Sequence, residues 1–133
     1  MRIVLDANVL VSAILIRKSL IADMVRHIIE NHKIVLSDYI IAEVEDTYKE
    51  KFPDKFHSMQ TEIKELPYEI FNLNTIESSN YPQLKDADDL PILAIAIEAG
   101  ADILITGDSG FDNLKISKPR IMKPREYMNE FMS

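Results

Sequence analysis

The chain has 133 residues, 47% hydrophobic and 28% charged, ordinary proportions that exclude a disordered chain and fit one domain over 1–133. It has no cysteine, which excludes a disulfide scaffold, thiol catalysis and a thiolate zinc site. Fifteen Lys and Arg against 22 Asp and Glu give a net charge of −7, which argues against phosphate binding by a basic face but permits it through metal ions held by the chain's own carboxylates.

The first element is Ile3-Val4-Leu5. A run that is apolar at consecutive positions suits a strand buried on both faces, usually in a parallel sheet. Asp6 and Asn8 interrupt this apolar opening, so no secretory leader is expected and the chain reads as cytoplasmic. Residues 19–31 place Leu20, Met24, Val25, Ile28 and Ile29 at helical spacing. Ile34-Val35-Leu36 is a second strand, and Ser37 is placed to cap a helix over 38–51 with Ile40, Ile41, Val44 and Tyr48 on its apolar stripe. A weaker strand follows at Ile70-Phe71, then a polar loop over 77–86. Residues 90–99 are apolar almost all round, the mark of a buried helix, and Gly100 ends it. Ile103-Leu104-Ile105 and Ile121-Met122 complete the strands. The alternation predicts a three-layer α/β/α sandwich around a central, mainly parallel sheet. No apolar run approaches the roughly 20 residues a membrane-spanning helix needs, so no membrane association is expected.

Ligands collect beyond the carboxyl ends of parallel strands. Asp6 follows the first strand, and Thr106, Gly107 and Asp108 follow Ile103–Ile105. Ser37 follows the second, with Glu43 early in the next helix, and Asp86, Asp88 and Asp89 begin the buried helix. Each has a plainer reading. Asp6 could cap a helix starting at Ala7, Asp88 or Asp89 could cap the helix containing Pro91, and Asp108 could serve a turn. Together they are harder to explain by stability, because two carboxylates ~4 Å apart repel by about 4 kcal/mol at an effective dielectric of 20. No Lys or Arg lies within 5–15, 37–48 or 86–112 to neutralise them. A Mg²⁺ or Mn²⁺ ion would, since both prefer carboxylate oxygen. Arg17, Lys18, Lys118, Arg120, Lys123 and Arg125 are the distant cations that could instead fold over the site. On this argument Asp6→Asn, in chelator, would melt above wild type. His27 and His32 lie five apart, so they do not share a metal-binding helix face, and all three histidines read as surface or helix-end residues.

The opening Ile-Val-Leu-Asp6-Ala-Asn8-Val-Leu-Val-Ser12-Ala resembles the first strand of PIN-domain ribonucleases. So do Leu-Ser37 with Glu43, Asp86-Ala-Asp88-Asp89 running into Ile-Leu-Ala-Ile-Ala, Thr106-Gly107-Asp108, and the closing Pro124-Arg-Glu126-Tyr. The likeness runs from end to end and is strongest to prokaryotic toxins of toxin–antitoxin pairs, akin to VapC-type toxins. It implies that Asp6, Glu43, Asp89 and Asp108 form an acidic site for Mg²⁺ or Mn²⁺, with Asn8, Ser12 and Thr106 in support. It further implies hydrolysis of single-stranded RNA, an antitoxin partner and a homodimer. One position departs from the pattern: Gly110 stands where many relatives carry a second acidic residue, and Asp112 is the candidate replacement from the same loop.

Two other classes of function remain beside the nuclease. One is a catalytically weak module that acts by binding a partner protein or nucleic acid, with an acidic surface suited to a basic segment. The other is a phosphatase of the haloacid-dehalogenase type, which also follows its first strand with Asp but needs a second Asp where this chain has Asn8.

Overall fold

A computed structural model describes residues 1–133. Five strands, β1 (Arg2–Leu5), β2 (Lys33–Leu36), β3 (Glu69–Ile70), β4 (Ile103–Ile105) and β5 (Arg120–Met122), form one sheet in the order β3-β2-β1-β4-β5. Every neighbouring pair is parallel. Three apolar runs build the middle of this sheet, and Ile3–Leu5, Ile34–Leu36 and Ile103–Ile105 are all buried. Helices cover both faces, as consecutive buried positions require. The weaker runs became the short edge strands.

Six helices complete the layers: α1 (Ala7–Leu15), α2 (Leu20–Asn31), α3 (Asp38–Lys51), α4 (Phe56–Glu65), α5 (Leu90–Glu98) and α6 (Pro124–Phe131). Their ends follow local chemistry. Ser19 Oγ accepts the Ala22 N–H at 3.1 Å, and Ser37 Oγ accepts the Ile40 N–H at 3.1 Å. Gly100 takes φ +68°, and two bonds close the end of α5: Gly100 N–H to Ile97 C=O and Ala101 N–H to Ala96 C=O, both 3.0 Å. The cap at the start of α5 differs from expectation. Neither Asp88 nor Asp89 supplies it; Asp86 Oδ1 accepts the Asp88 N–H at 2.9 Å and holds the turn that leads into the helix.

The core is one cluster of 29 buried residues, with Tyr48 and Tyr127 the largest. Helix α4, which no periodicity argument anticipated, contributes Met59 and Ile63. The histidines divide. His57 is exposed and His32 ends α2, both as expected, whereas His27 is half-buried within α2 beside α6, its Nδ1 2.9 Å from the Tyr127 hydroxyl. No helix is long and apolar enough to cross a membrane.

Ser37 is only 1% exposed, so its hydroxyl is the local partner for the first turn of α3. Ser37→Ala is expected to lower unfolding stability by about 1–2 kcal/mol, read as a lower urea midpoint at unchanged m-value.

Candidate functional site

The strand order reverses at β1. From β1 the chain winds outward to β2 and β3, then crosses back to lay β4 and β5 on the other side. Such a reversal opens a crevice beyond the carboxyl ends of the two diverging strands. The β1–β4 register pairs Leu5 with Ile105, so Asp6 and Thr106 leave the sheet side by side.

A hydrogen-bond chain follows. Asp6, 7% exposed, accepts the Ala7 N–H on Oδ1 at 2.7 Å and the Thr106 hydroxyl on Oδ2 at 2.7 Å. Thr106 Oγ1 in turn accepts the Asp108 N–H at 3.0 Å, and Asp108 Oδ1 accepts the Gly110 N–H at 2.8 Å. Across the crevice, Asn8 Oδ1 lies 3.4 Å from the Gly107 N–H it accepts. Capping by Asp6 and turn formation by Asp108 are therefore real, and they coexist with a place in the site.

These residues wall a cavity of ≈ 500 Å³. Its lining includes Asp6, Asn8, Ser12, Glu43, Asp89 and Asp108, which come from four distant segments. Thr106 stands behind Asp6 and lines the neighbouring cavity. Asp112 is not brought to the acidic cavity: its carboxylate lies in the neighbouring one, 3.6 Å from the Lys123 ammonium. Asp88, which the sequence reading grouped with Asp86 and Asp89, also lines the acidic cavity, whereas Asp46, Thr47, Glu50 and Lys51 line it and were missed. A signal existed for the α3 members, since 43, 46, 47 and 50 follow one helix face at spacings of three, four and seven. Thr47 turns its hydroxyl back to the Glu43 carbonyl at 3.0 Å.

Seven carboxylates and one ammonium, that of Lys51, line the cavity. The distant cations are engaged elsewhere: Arg17 with Glu62, Lys118 with Asp102, Lys123 with Asp112, and Arg120 in a two-pronged pair with Glu130. Lys18 and Arg125 do not line it. Uncompensated charge shows in the acidities. Burial raises the Asp6 pKa, the Thr106 and Ala7 donors partly offset this, and the Asp108 charge adds to the rise. Glu43 is raised by burial and then by Asp6 and Asp46. Asp89 is pushed to about 7, first by burial, then by a hydrogen bond it makes to Asp108 when protonated, and then by the charges of Asp108, Asp86 and Asp6.

Asp89 Oδ2 is buried and has no hydrogen-bond donor, so it offers a lone pair that a cation could satisfy. The donor set is all oxygen, which suits Mg²⁺ or Mn²⁺. No three of these acidic groups converge on one point as a ready-made ligand set. At Gly110 a Cβ would collide with Asp89 Oδ2 and come within 3.2 Å of Asp108 Oδ1. Asp89 thus fills the space beside Gly110.

A family model described as PIN domain matches residues 2–110. No curated protein matches the sequence at a significant level. Among solved structures, the chain is similar to one in the crystal structure of VapBC2 from Rickettsia felis bound to a DNA fragment from their promoter. That match has 19% identity and a TM-score of 0.66, and covers 92% of this chain and 97% of the other. At this identity the likeness carries the fold.

The expected effect of charge removal moves from Asp6 to Asp89. Asp6 satisfies two donors that an amide would serve less well, whereas Asp89 Oδ2 serves none. Because the folded protein holds the Asp89 proton up to about pH 7 and the unfolded chain releases it near 4, the folded state binds more protons between these values. The metal-free protein should therefore lose stability as pH rises from 4 to 7. In chelator, the fall in melting temperature from pH 5 to pH 8 should be smaller for Asp89→Asn than for wild type. At pH 7.5, Mn²⁺ should raise the melting temperature of wild type more than that of the variant. Identical pH profiles and Mn²⁺ shifts for both proteins would refute a shared acidic site.

Proposed function

From the premise that this chain belongs to the PIN-domain family, whose members are generally nucleases, we propose that it is a metal-dependent endoribonuclease and the toxin of a toxin–antitoxin pair. One observation carries the reading. Carboxylates from the ends of β1 and β4 and from α3 and the start of α5 share one cavity with a single cation among its lining residues.

Asp6, Asp89 and Asp108 would hold Mg²⁺ or Mn²⁺, with Glu43 either a fourth ligand or the group that orients water. When bound, such an ion supplies positive charge to a phosphodiester and acidifies water for attack. The chain's own residues prepare that chemistry. Thr106 and the Ala7 N–H favour the ionised form of Asp6 and fix its orientation. Asn8 tethers the Gly107 turn that presents Asp108, and Ser12 lies one helical turn beyond Asn8 on the same wall. Glu43, whose pKa is raised by burial and then by Asp6 and Asp46, is a stronger base than an exposed carboxylate and could accept a proton from water. Single-stranded RNA fits best, since its bases are free for a small protein to read.

The net charge of −7 supports pairing with a basic antitoxin segment, and the resemblance to VapC-type toxins supports a homodimer working in the cytoplasm. The second reading, a binding module of weak chemistry, is favoured by one feature: Gly110 brings no carboxylate and Asp112 faces Lys123 instead of the cavity.

Cleavage of a pooled single-stranded RNA library with Mg²⁺ or Mn²⁺ separates the two. The nuclease reading expects wild type to cut and Asp6→Asn to fall by more than about 100-fold, beyond the roughly 10–100-fold typical of an outer-shell change. Equal cutting by both proteins would overturn the assignment of Asp6. No cutting and no metal binding by calorimetry, with tight binding to a co-encoded basic protein, would establish the binding module instead.

A further inference from the structure

Beside the acidic cavity lies a second cleft of ≈ 360 Å³, walled by Tyr39, Asn72, Asn74, Ile76, Pro91 and Ile95. We propose that this cleft is a nucleobase subsite, in which the Tyr39 ring stacks on a base adjoining the phosphate held at the acidic cavity. The proposal rests on the ribonuclease reading and specifies how that site would hold its RNA.

Three observations carry it. The first is continuity. Tyr39 precedes Glu43 by one turn on α3, and Pro91 stands two residues beyond Asp89, so the two clefts share walls from α3 and the start of α5. The Tyr39 phenol senses this closeness: burial raises its pKa first, and the charges of Glu43, Asp88, Asp6 and Asp89 add to the rise. The second is surface chemistry. Tyr39 and Ile76 are two of only six large apolar side chains left exposed, at 41% and 36%, and both face this cleft. A partly exposed tyrosine ring lining a cleft can offer a π-face to a ligand. The cleft is also firm on one side, because Asn72 Oδ1 accepts the Asp38 N–H at 2.8 Å and its Nδ2 donates to Asp38 Oδ2 at 3.0 Å. Asn74 adds an amide at the rim, able to donate and accept at a base edge.

The third is a charge argument. Proteins usually gain affinity for nucleic acid by placing Lys and Arg against phosphates and releasing counterions. A chain of net charge −7, whose candidate site sets seven carboxylates against the single ammonium of Lys51, draws little on that source locally. Uncharged contacts beside the phosphate would then carry much of the affinity. Base stacking is the uncharged contact available to every nucleotide.

The test uses Tyr39→Ala and Tyr39→Phe in the full chain. Two 5′-labelled 12-mers serve as probes, a random-sequence single-stranded RNA and an abasic ribose-phosphate chain, and binding is read by anisotropy in Ca²⁺. Tyr39→Ala should weaken RNA binding by roughly 5- to 150-fold, the range one base–aromatic stack supplies. It should leave binding to the abasic chain within twofold, and Tyr39→Phe should match wild type on both. Because Tyr39 lies outside the buried core, melting temperatures should stay near wild type. An equal loss on both probes, or none on either, overturns the subsite while the nuclease reading stands. If wild type binds neither probe and cuts no RNA, both fall together.

Discussion

A fold built around fully buried strands has almost no room for polar groups, and this one admits three. Asp6, Ser37 and Thr106 are the buried polar residues, and each directly follows a strand, at the ends of β1, β2 and β4. Buried polar groups must find partners, and these do so by organising the chain that leaves the sheet. Ser37 caps α3 and so sets the helix that carries Glu43. Asp6 and Thr106 bond each other across the β1–β4 crevice, and Thr106 passes the constraint on to the Asp108 backbone. The requirement to satisfy these three buried polar groups thereby fixes where three of the four candidate metal-binding segments emerge.

The fourth segment is governed by the opposite condition. Asp86 takes over the turn before α5, which releases Asp89 from capping and leaves its Oδ2 buried without a donor. At Asp6 the Thr106 and Ala7 donors partly offset the burial that raises its pKa, whereas Asp89 is left under-satisfied and tends to keep a proton. Both Asp89 and Asp6 feel the charge of Asp108. Under the proposed reading, a cation entering the cavity would displace that proton and relieve the repulsion.

Much of this was legible in the sequence because it depends on strand ends. A run such as Ile3-Val4-Leu5 announces a buried parallel strand, and the residue after it must then lie at the carboxyl edge of the sheet. The reading at Asp6, Thr106 and Asp108 needed no knowledge of strand order. What could not be read was which strands are neighbours, and the β3-β2-β1-β4-β5 order supplies it. Helix-borne residues were harder. Asp46 and Glu50 share a face with Glu43, yet only the position of α3 beside the crevice shows that this face is not simply solvated. Asp112 went astray for a similar reason: proximity along the loop suggested the acidic cavity, but the turn over Ser109–Phe111 directs it to Lys123. Helix α4 carries too short an apolar stripe, Met59 and Ile63, to announce itself.

Gly110 joins these threads. The PIN resemblance implies an acidic side chain at this position, and its loss looks at first like the removal of a ligand. The geometry says otherwise about the space it leaves. A Cβ at 110 would meet Asp89 Oδ2, and Asp108 Oδ1 lies beside it accepting the Gly110 N–H. Glycine lets the Asp89 carboxylate lie against this turn and approach Asp108 closely, which raises its pKa and leaves one oxygen unpartnered. Restoring an acidic side chain at 110 would therefore not simply add a ligand. It would push Asp89 out of the space it occupies and alter the pair it forms with Asp108. The absent carboxylate and the inward Asp89 are two aspects of one arrangement, in which a backbone N–H at Gly110 steadies Asp108 and Asp89 occupies the room beside it.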